Sequence, residues 1–153
     1  MGRHEALLDR LGRVHSRDMV FRSYDILRKA GFENINIDLM FAIPGQTMEI
    51  WNRTLDEALA LGTEHLSCYE VIYAEDTPLY EQLKAGECDV DDDLAADLYE
   101  VLYDRVGAVG FGAYEVANFA RRRRVGESVD RPEAEPGIPA FACRHNVGYW
   151  RGR

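Results

Sequence analysis

Near its C-terminal end the chain reads Cys143-Arg144-His145-Asn146 and then Tyr149-Trp150, a thiol and an imidazole two residues apart beside two flat aromatic side chains. Imidazole is a common axial ligand of haem iron, a thiolate can also hold it, and Tyr and Trp offer broad apolar surface beside either. The group suits a planar ligand that bears a metal, haem being the obvious example, and it equally suits an aromatic-rich docking segment. Cys143 and His145 share one face of an extended segment, so spacing alone does not choose between them. Covalent c-type attachment is excluded, because it needs Cys-x-x-Cys-His. The second candidate is Asp38, in the alternating run Ile35-Asn36-Ile37-Asp38-Leu39-Met40-Phe41. Ile35, Ile37, Leu39 and Phe41 make an oily face; Asn36, Asp38 and Met40 make the other, so the acid points into water, a partner or a ligand. Pro44-Gly45-Gln46 ends that run, at the C-terminal strand end where α/β folds place their sites.

Much other chemistry has no support. Cys68, Cys88 and Cys143 form neither an even set nor a Cys-x-x-Cys pair, so neither a disulfide framework nor a zinc knuckle is written here. No nucleophile elbow, Walker loop or His-Glu-x-x-His occurs. His4, His15 and His65 are isolated and read as surface or satisfied core residues. The acidic run Asp89 to Asp93 lacks the central glycine and terminal glutamate of a calcium loop, and suits the positive end of the helix that follows. Arg121 to Arg124 are nearly cancelled by Glu127, Asp130, Glu133 and Glu135, which favours a solvated loop over an anion site.

The elements that must carry these residues follow from periodicity. Ser16 caps a helix over 17–30 with Val20, Tyr24 and Leu27 on one side and Gly31 as its stop; a strand over 35–41 follows. A helix over 49–61, with Trp51, Leu55 and Ala58 at helical spacing, leads to a strand over 66–72, Thr77-Pro78 opens a short helix closed by Gly86, and another helix covers about 94–106. A third strand is expected over 113–119, then a loop over 121–142 that holds most of the prolines and shows no periodicity. This order is α/β, with strands 35–41 and 66–72 as parallel neighbours. So few strands leave unpaired edges, so the sheet belongs to a larger barrel or is completed by a partner. At 153 residues and 46% apolar content the chain can fill one core. Its net charge of −9 disfavours nucleic acid. It has no run of membrane-spanning length and no signal-peptide core at Met1, so it reads as cytoplasmic.

Leu11-Gly12-Arg13-Val14-His15-Ser16, Asn34 to Phe41, Pro44-Gly45-Gln46-Thr47, Glu64-His65-Leu66-Ser67-Cys68-Tyr69, Tyr114-Glu115 with Asn118-Phe119-Ala120, and Cys143-Arg144-His145-Asn146 with Tyr149-Trp150-Arg151-Gly152 together resemble the HemW family. These are radical S-adenosylmethionine (SAM) haem chaperones, long described as oxygen-independent coproporphyrinogen III oxidase-like proteins. The resemblance implies a fold: the later βα units of a partial (β/α)6 radical SAM barrel over residues 1–110, then the start of the C-terminal region over 111–153. It implies SAM and haem as cofactors. Arg13 and Asp38 would contact SAM, Ile72 would pack near it, and His145 would hold haem with Tyr149 and Trp150 against the macrocycle. Haem or porphyrin, and haem-accepting proteins, are the implied partners. Coproporphyrinogen oxidation is the alternative function, but those enzymes lack the Cys-Arg-His-Asn-x-x-Tyr-Trp block.

Two departures bear on chemistry. The family's [4Fe-4S] cluster needs Cys-x-x-x-Cys-x-x-Cys, a spacing absent here, so this chain is expected to build no such cluster and cleave no SAM. Ala42-Ile43 stands where the resemblance leads one to expect Gly-Leu. The chain thus reads as an internal piece of a HemW-like protein without autonomous activity.

Overall fold

The computed structural model describes residues 16–122 and 137–152; Arg13 and most of the expected 121–142 loop lie outside the described residues. Helix α1 (Arg17–Lys29) starts where the Ser16 hydroxyl accepts the Met19 N–H, and ends before Gly31, whose φ of 88° favours glycine. The predicted helix forms, but it buries none of its residues, and Met19, Val20, Ile26 and Leu27 are exposed. Strand β1 (Asn36–Phe41), helix α2 (Met48–Ala60), capped by Thr47, and strand β2 (His65–Glu70) make the expected βαβ unit. β1 and β2 are parallel neighbours, from Asn36 opposite His65 to Phe41 opposite Glu70. Thr77 and Pro78 open α3 (Pro78–Lys84). Asp91 caps α4 (Asp92–Ala108) by accepting the Leu94 N–H at 2.9 Å, which gives the acidic run its structural role.

The expected third strand over 113–119 is instead a hairpin. β3 (Phe111–Ala113) and β4 (Asn118–Arg121) are antiparallel, and the sheet order is β1-β2-β4-β3. The chain turns because the Glu115 carboxylate folds back onto the Ala117 N–H and the Asn118 amide, while Asn118 O accepts the Tyr114 N–H. β4 then lies antiparallel against β2. A short helix, α5 (Arg144–Trp150), ends the described chain.

One face of the sheet carries the core. Phe41, Leu66, Cys68 and Phe119 meet Trp51 and Leu55 of α2 and Leu98, Leu102 and Val106 of α4, with Ile37 and Leu39 packed against them. Full burial of such a side chain contributes about 1.5–3 kcal/mol. β1 therefore alternates as expected, with Ile37, Leu39 and Phe41 inward and Asn36 and Asp38 on the opposite face.

Immediately after β1, Ala42 sits at φ 56°, in the left-handed region. That conformation costs a residue with a Cβ about 1–2 kcal/mol, partly offset by the greater entropy glycine loses on folding. Ala42→Gly is expected to stabilise the chain by up to about 1 kcal/mol, seen as a higher urea midpoint at unchanged slope. A lower midpoint would mean that the Ala42 methyl, which touches the core, is worth more than the strain.

Candidate functional site

The other face of the sheet is polar. Asn36 and Asp38 of β1, His65, Ser67 and Tyr69 of β2 and Asn118 of β4 line a cleft of about 730 Å³, walled on its far side by residues 140–144 and Asn146. Period-two alternation puts His65 and Ser67 here and sends Leu66 and Cys68 to the core. Among the described lining residues, Asp38 is the acid and Arg144 the strong base.

One hydrogen-bonded chain crosses the floor. Asn36 Nδ2 donates to Asp38 Oδ1 at 2.7 Å, which turns Asn36 Oδ1 toward His65 Nδ1 at 2.6 Å. An amide oxygen only accepts, so Nδ1 carries the hydrogen and Nε2 accepts from the Tyr114 hydroxyl, also at 2.6 Å. The Tyr114 oxygen in turn accepts the Cys143 N–H at 3.1 Å and Asn146 Nδ2 at 3.4 Å. Ser67 Oγ lies 2.9 Å from Asn118 Oδ1 and 3.2 Å from Asn36 Oδ1, and the Glu115 carboxylate holds the other side of the Asn118 amide. Burial pushes the His65 pKa below its ordinary value, with Asp38 opposing, and burial pushes the Tyr114 hydroxyl up. Both side chains are neutral at pH 7.

This geometry offers no activated serine. His65 is no base for Ser67: its Nε2 is occupied by Tyr114, and the Ser67 hydroxyl faces amide oxygens. What remains is a floor of oriented amides and hydroxyls around one carboxylate, suited to a polar ligand.

The described residues do not fit an iron–sulfur cluster. Cys68 is buried in the core with its thiol pushed up to about 12, while Cys143 lines the opposite face of the sheet. Among the described residues no three His, Cys, Asp or Glu side chains come together as a metal site.

The C-terminal residues are helical, not extended, and this changes their geometry. Residues two apart on a helix point about 200° from each other, so Cys143, the N-cap, and His145 do not share a face. Cys143 lines the cleft; His145 is exposed outside it. His145 and Tyr149, four apart, stand on the same side of α5, and the Tyr149 and Trp150 rings meet edge to face at 5.9 Å, both exposed. Ile72 lies two residues beyond β2, 79% exposed and not in the cleft wall. Of the residues expected to touch a cofactor, Asp38 alone is in the cleft among those described, and His145, Tyr149 and Trp150 are grouped on α5.

His65, Tyr114, Asn36 and Asn118 are the residues that sequence reasoning passed over as chemistry. The signal was in the alternation: starting the second strand at His65 aligns His65 and Ser67 with Asn36 and Asp38 on one polar face.

No family model matches the chain. It is 35% identical over 148 residues to the haem chaperone HemW of Lactococcus lactis, covering 96% of this chain and 35% of that protein. To HemW of Bacillus subtilis it is 33% identical over 94% of this chain and 34% of that one. The chain is HemW-like. A further relative is the mitochondrial radical SAM domain-containing protein 1 of zebrafish (Danio rerio), at 33% identity over 93% of this chain and 28% of that protein. The HemW-like chain spans about a third of the length of the curated relatives it matches. Its α/β fold is shared with part of a solved radical SAM enzyme, coproporphyrinogen III oxidase from Escherichia coli, with a TM-score of 0.67 at 20% identity, over 76% of this chain and 27% of that one. Among the described residues no helix is long and apolar enough to cross a membrane.

Proposed function

We propose that this chain supplies the haem-holding part of a HemW-like haem chaperone, with His145 as the axial ligand and Tyr149 and Trp150 against the porphyrin face. On this reading haem or porphyrin is the small-molecule partner, other proteins accept the haem, and the protein works in the cytoplasm. The observation that carries it is the exposed His145 imidazole on the same side of α5 as Tyr149, whose ring abuts Trp150. An imidazole ligates iron while aromatic rings lie along a macrocycle, and both are accessible here without rearrangement. The rival ligand, Cys143, faces the cleft on the other side of the helix.

In the same reading the cleft is where SAM is held. SAM brings a sulfonium, an amino-acid end and ribose hydroxyls to whatever site binds it. Asp38 would accept from its ammonium or hydroxyl groups, since Asn36 occupies one carboxylate oxygen and leaves acceptor capacity on the other. Arg13 and Ile72 are proposed neighbours of that ligand on the strength of the sequence resemblance. Coproporphyrinogen oxidation is the weaker reading, since the likeness to that enzyme is one of fold.

Haem titration of the full chain tests the assignment. The wild type and Cys143→Ala are expected to develop the same Soret band, and His145→Ala to lose it. Loss confined to Cys143→Ala would transfer the ligand role to the thiolate, and an unchanged band in both variants would reduce α5 to a docking surface.

A further inference from the structure

The start of α5 is joined to the sheet by the Tyr114 side chain. A helix N-terminus leaves backbone N–H groups without helix partners, and Cys143 gives no side-chain cap. Its own N–H goes instead to the Tyr114 hydroxyl, which also takes the Asn146 amide. His145, between these two residues in the chain, is therefore flanked on both sides by bonds to a single oxygen atom.

That oxygen can accept twice only if its one hydrogen points elsewhere, and it points to His65 Nε2. The arrangement holds for one state of the imidazole, neutral with hydrogen on Nδ1. A proton on Nε2 would set two donors 2.6 Å apart, forcing the hydroxyl hydrogen to turn toward Cys143 and Asn146 and displacing their bonds.

We propose that Tyr114, oriented by neutral His65, is the positioning residue for the segment 143–146 and thereby for the His145 imidazole. The part concerning haem rests on the function proposed above; the positioning itself does not. The titratable and charged groups around His65 and its partner are Asp38 on β1, Tyr114 with Glu115 beside it on the hairpin turn, and Cys143 and Arg144 at the start of α5. Asp38 favours the protonated imidazole and burial disfavours it, with burial the larger effect. The segment is thus fastened at neutral pH and released as acid protonates His65.

Amide hydrogen exchange on the full chain, read as protection factors, tests this without haem. Tyr114→Phe is expected to lower protection at the Cys143 N–H about five- to tenfold, the worth of one hydrogen bond, with β1 and β2 unchanged. In the wild type the same protection is expected to fall as the pH is taken down below 6.5, the ordinary imidazole value, and in His65→Gln, which does not titrate, to stay flat. Haem affinity of Tyr114→Phe is expected to fall by a similar factor with the Soret maximum unmoved, because the ligand is still His145. Unchanged Cys143 protection in Tyr114→Phe overturns the proposal. So does the same pH profile in the wild type and His65→Gln, the deciding comparison if Tyr114→Phe does not fold. If Tyr114→Phe loosens Cys143 while His145→Ala still binds haem normally, the positioning role stands and the haem assignment falls.

Discussion

Trp51→Ala is expected to remove about 3–5 kcal/mol of stability, a large share of the roughly 5–15 kcal/mol that a domain of this kind has in total. Trp51 is fully buried at the centre of the core, where its ring lies 5.7 Å from that of Phe41. Its indole N–H donates to Leu98 O at 2.9 Å, so one side chain ties α2, β1 and α4 together. Truncation opens a cavity that the rigid sheet cannot close, whereas the Leu98 carbonyl keeps its place in the α4 ladder and is not orphaned. The cost is therefore mainly packing. Trp51→Phe separates the terms: it keeps most of the apolar volume, loses the hydrogen bond, and should cost about 1–2 kcal/mol. Urea unfolding of the three chains measures both. Equal losses for Ala and Phe would show that the hydrogen bond, not the volume, holds this junction.

Trp51 was legible in the sequence because its helical spacing with Leu55 and Ala58 follows directly from burial on one side. The alternation of β1 was legible for the same reason, and it puts Asp38 on the face opposite Ile37, Leu39 and Phe41. Legibility failed where tertiary contacts outvote local pattern. Tyr114 to Ala117 read as strand because Tyr and Val favour strands, yet the Glu115 carboxylate and the Cys68 N–H, which donates to Ala117 O at 2.7 Å, make the segment a turn. His65 looked isolated because its partners, Asn36 and Tyr114, lie 29 and 49 residues away. The segment after Cys143 gave no helix signal: Gly148 sits inside it and no side chain caps it. On that one point turns which of Cys143 and His145 faces outward.

Glu64 shows the same failure in reverse, since the polar run Thr63-Glu64-His65 falls between the expected helix and the expected strand and all three residues are buried. The Glu64 carboxylate accepts from Arg28 Nη2 at 2.7 and 2.8 Å and from the Ile35 N–H at 3.1 Å, just ahead of β1. Arg28 also reaches Phe32 O and Gly62 O. Because α1 buries none of its residues, this guanidinium, with the Arg17–Glu57 pair, is a principal described tie between α1 and the rest of the fold. Arg28→Met leaves a buried carboxylate with the Ile35 N–H and the more distant charge of buried Arg121, but no hydrogen-bonded cation among the described residues. A fully buried broken pair costs about 3–5 kcal/mol; with the Arg28 side chain 27% exposed to screening water, about 2–3 kcal/mol is expected. Glu64→Leu alone strands the Ile35 N–H and leaves the guanidinium its Tyr24, Phe32 and Gly62 partners but no counter-charge, and should cost about as much. Arg28→Met combined with Glu64→Leu removes both charges and should recover about 2 kcal/mol of the summed losses, the signature of coupling in a double-mutant cycle. Additive losses would make the pair a solvated surface contact. The cost should also be uneven. Arg28→Met is expected to raise amide exchange across α1 before that of β1 or β2, because a helix held by polar contacts opens locally once its anchor goes, while the core strands still rest on Trp51 and Leu55.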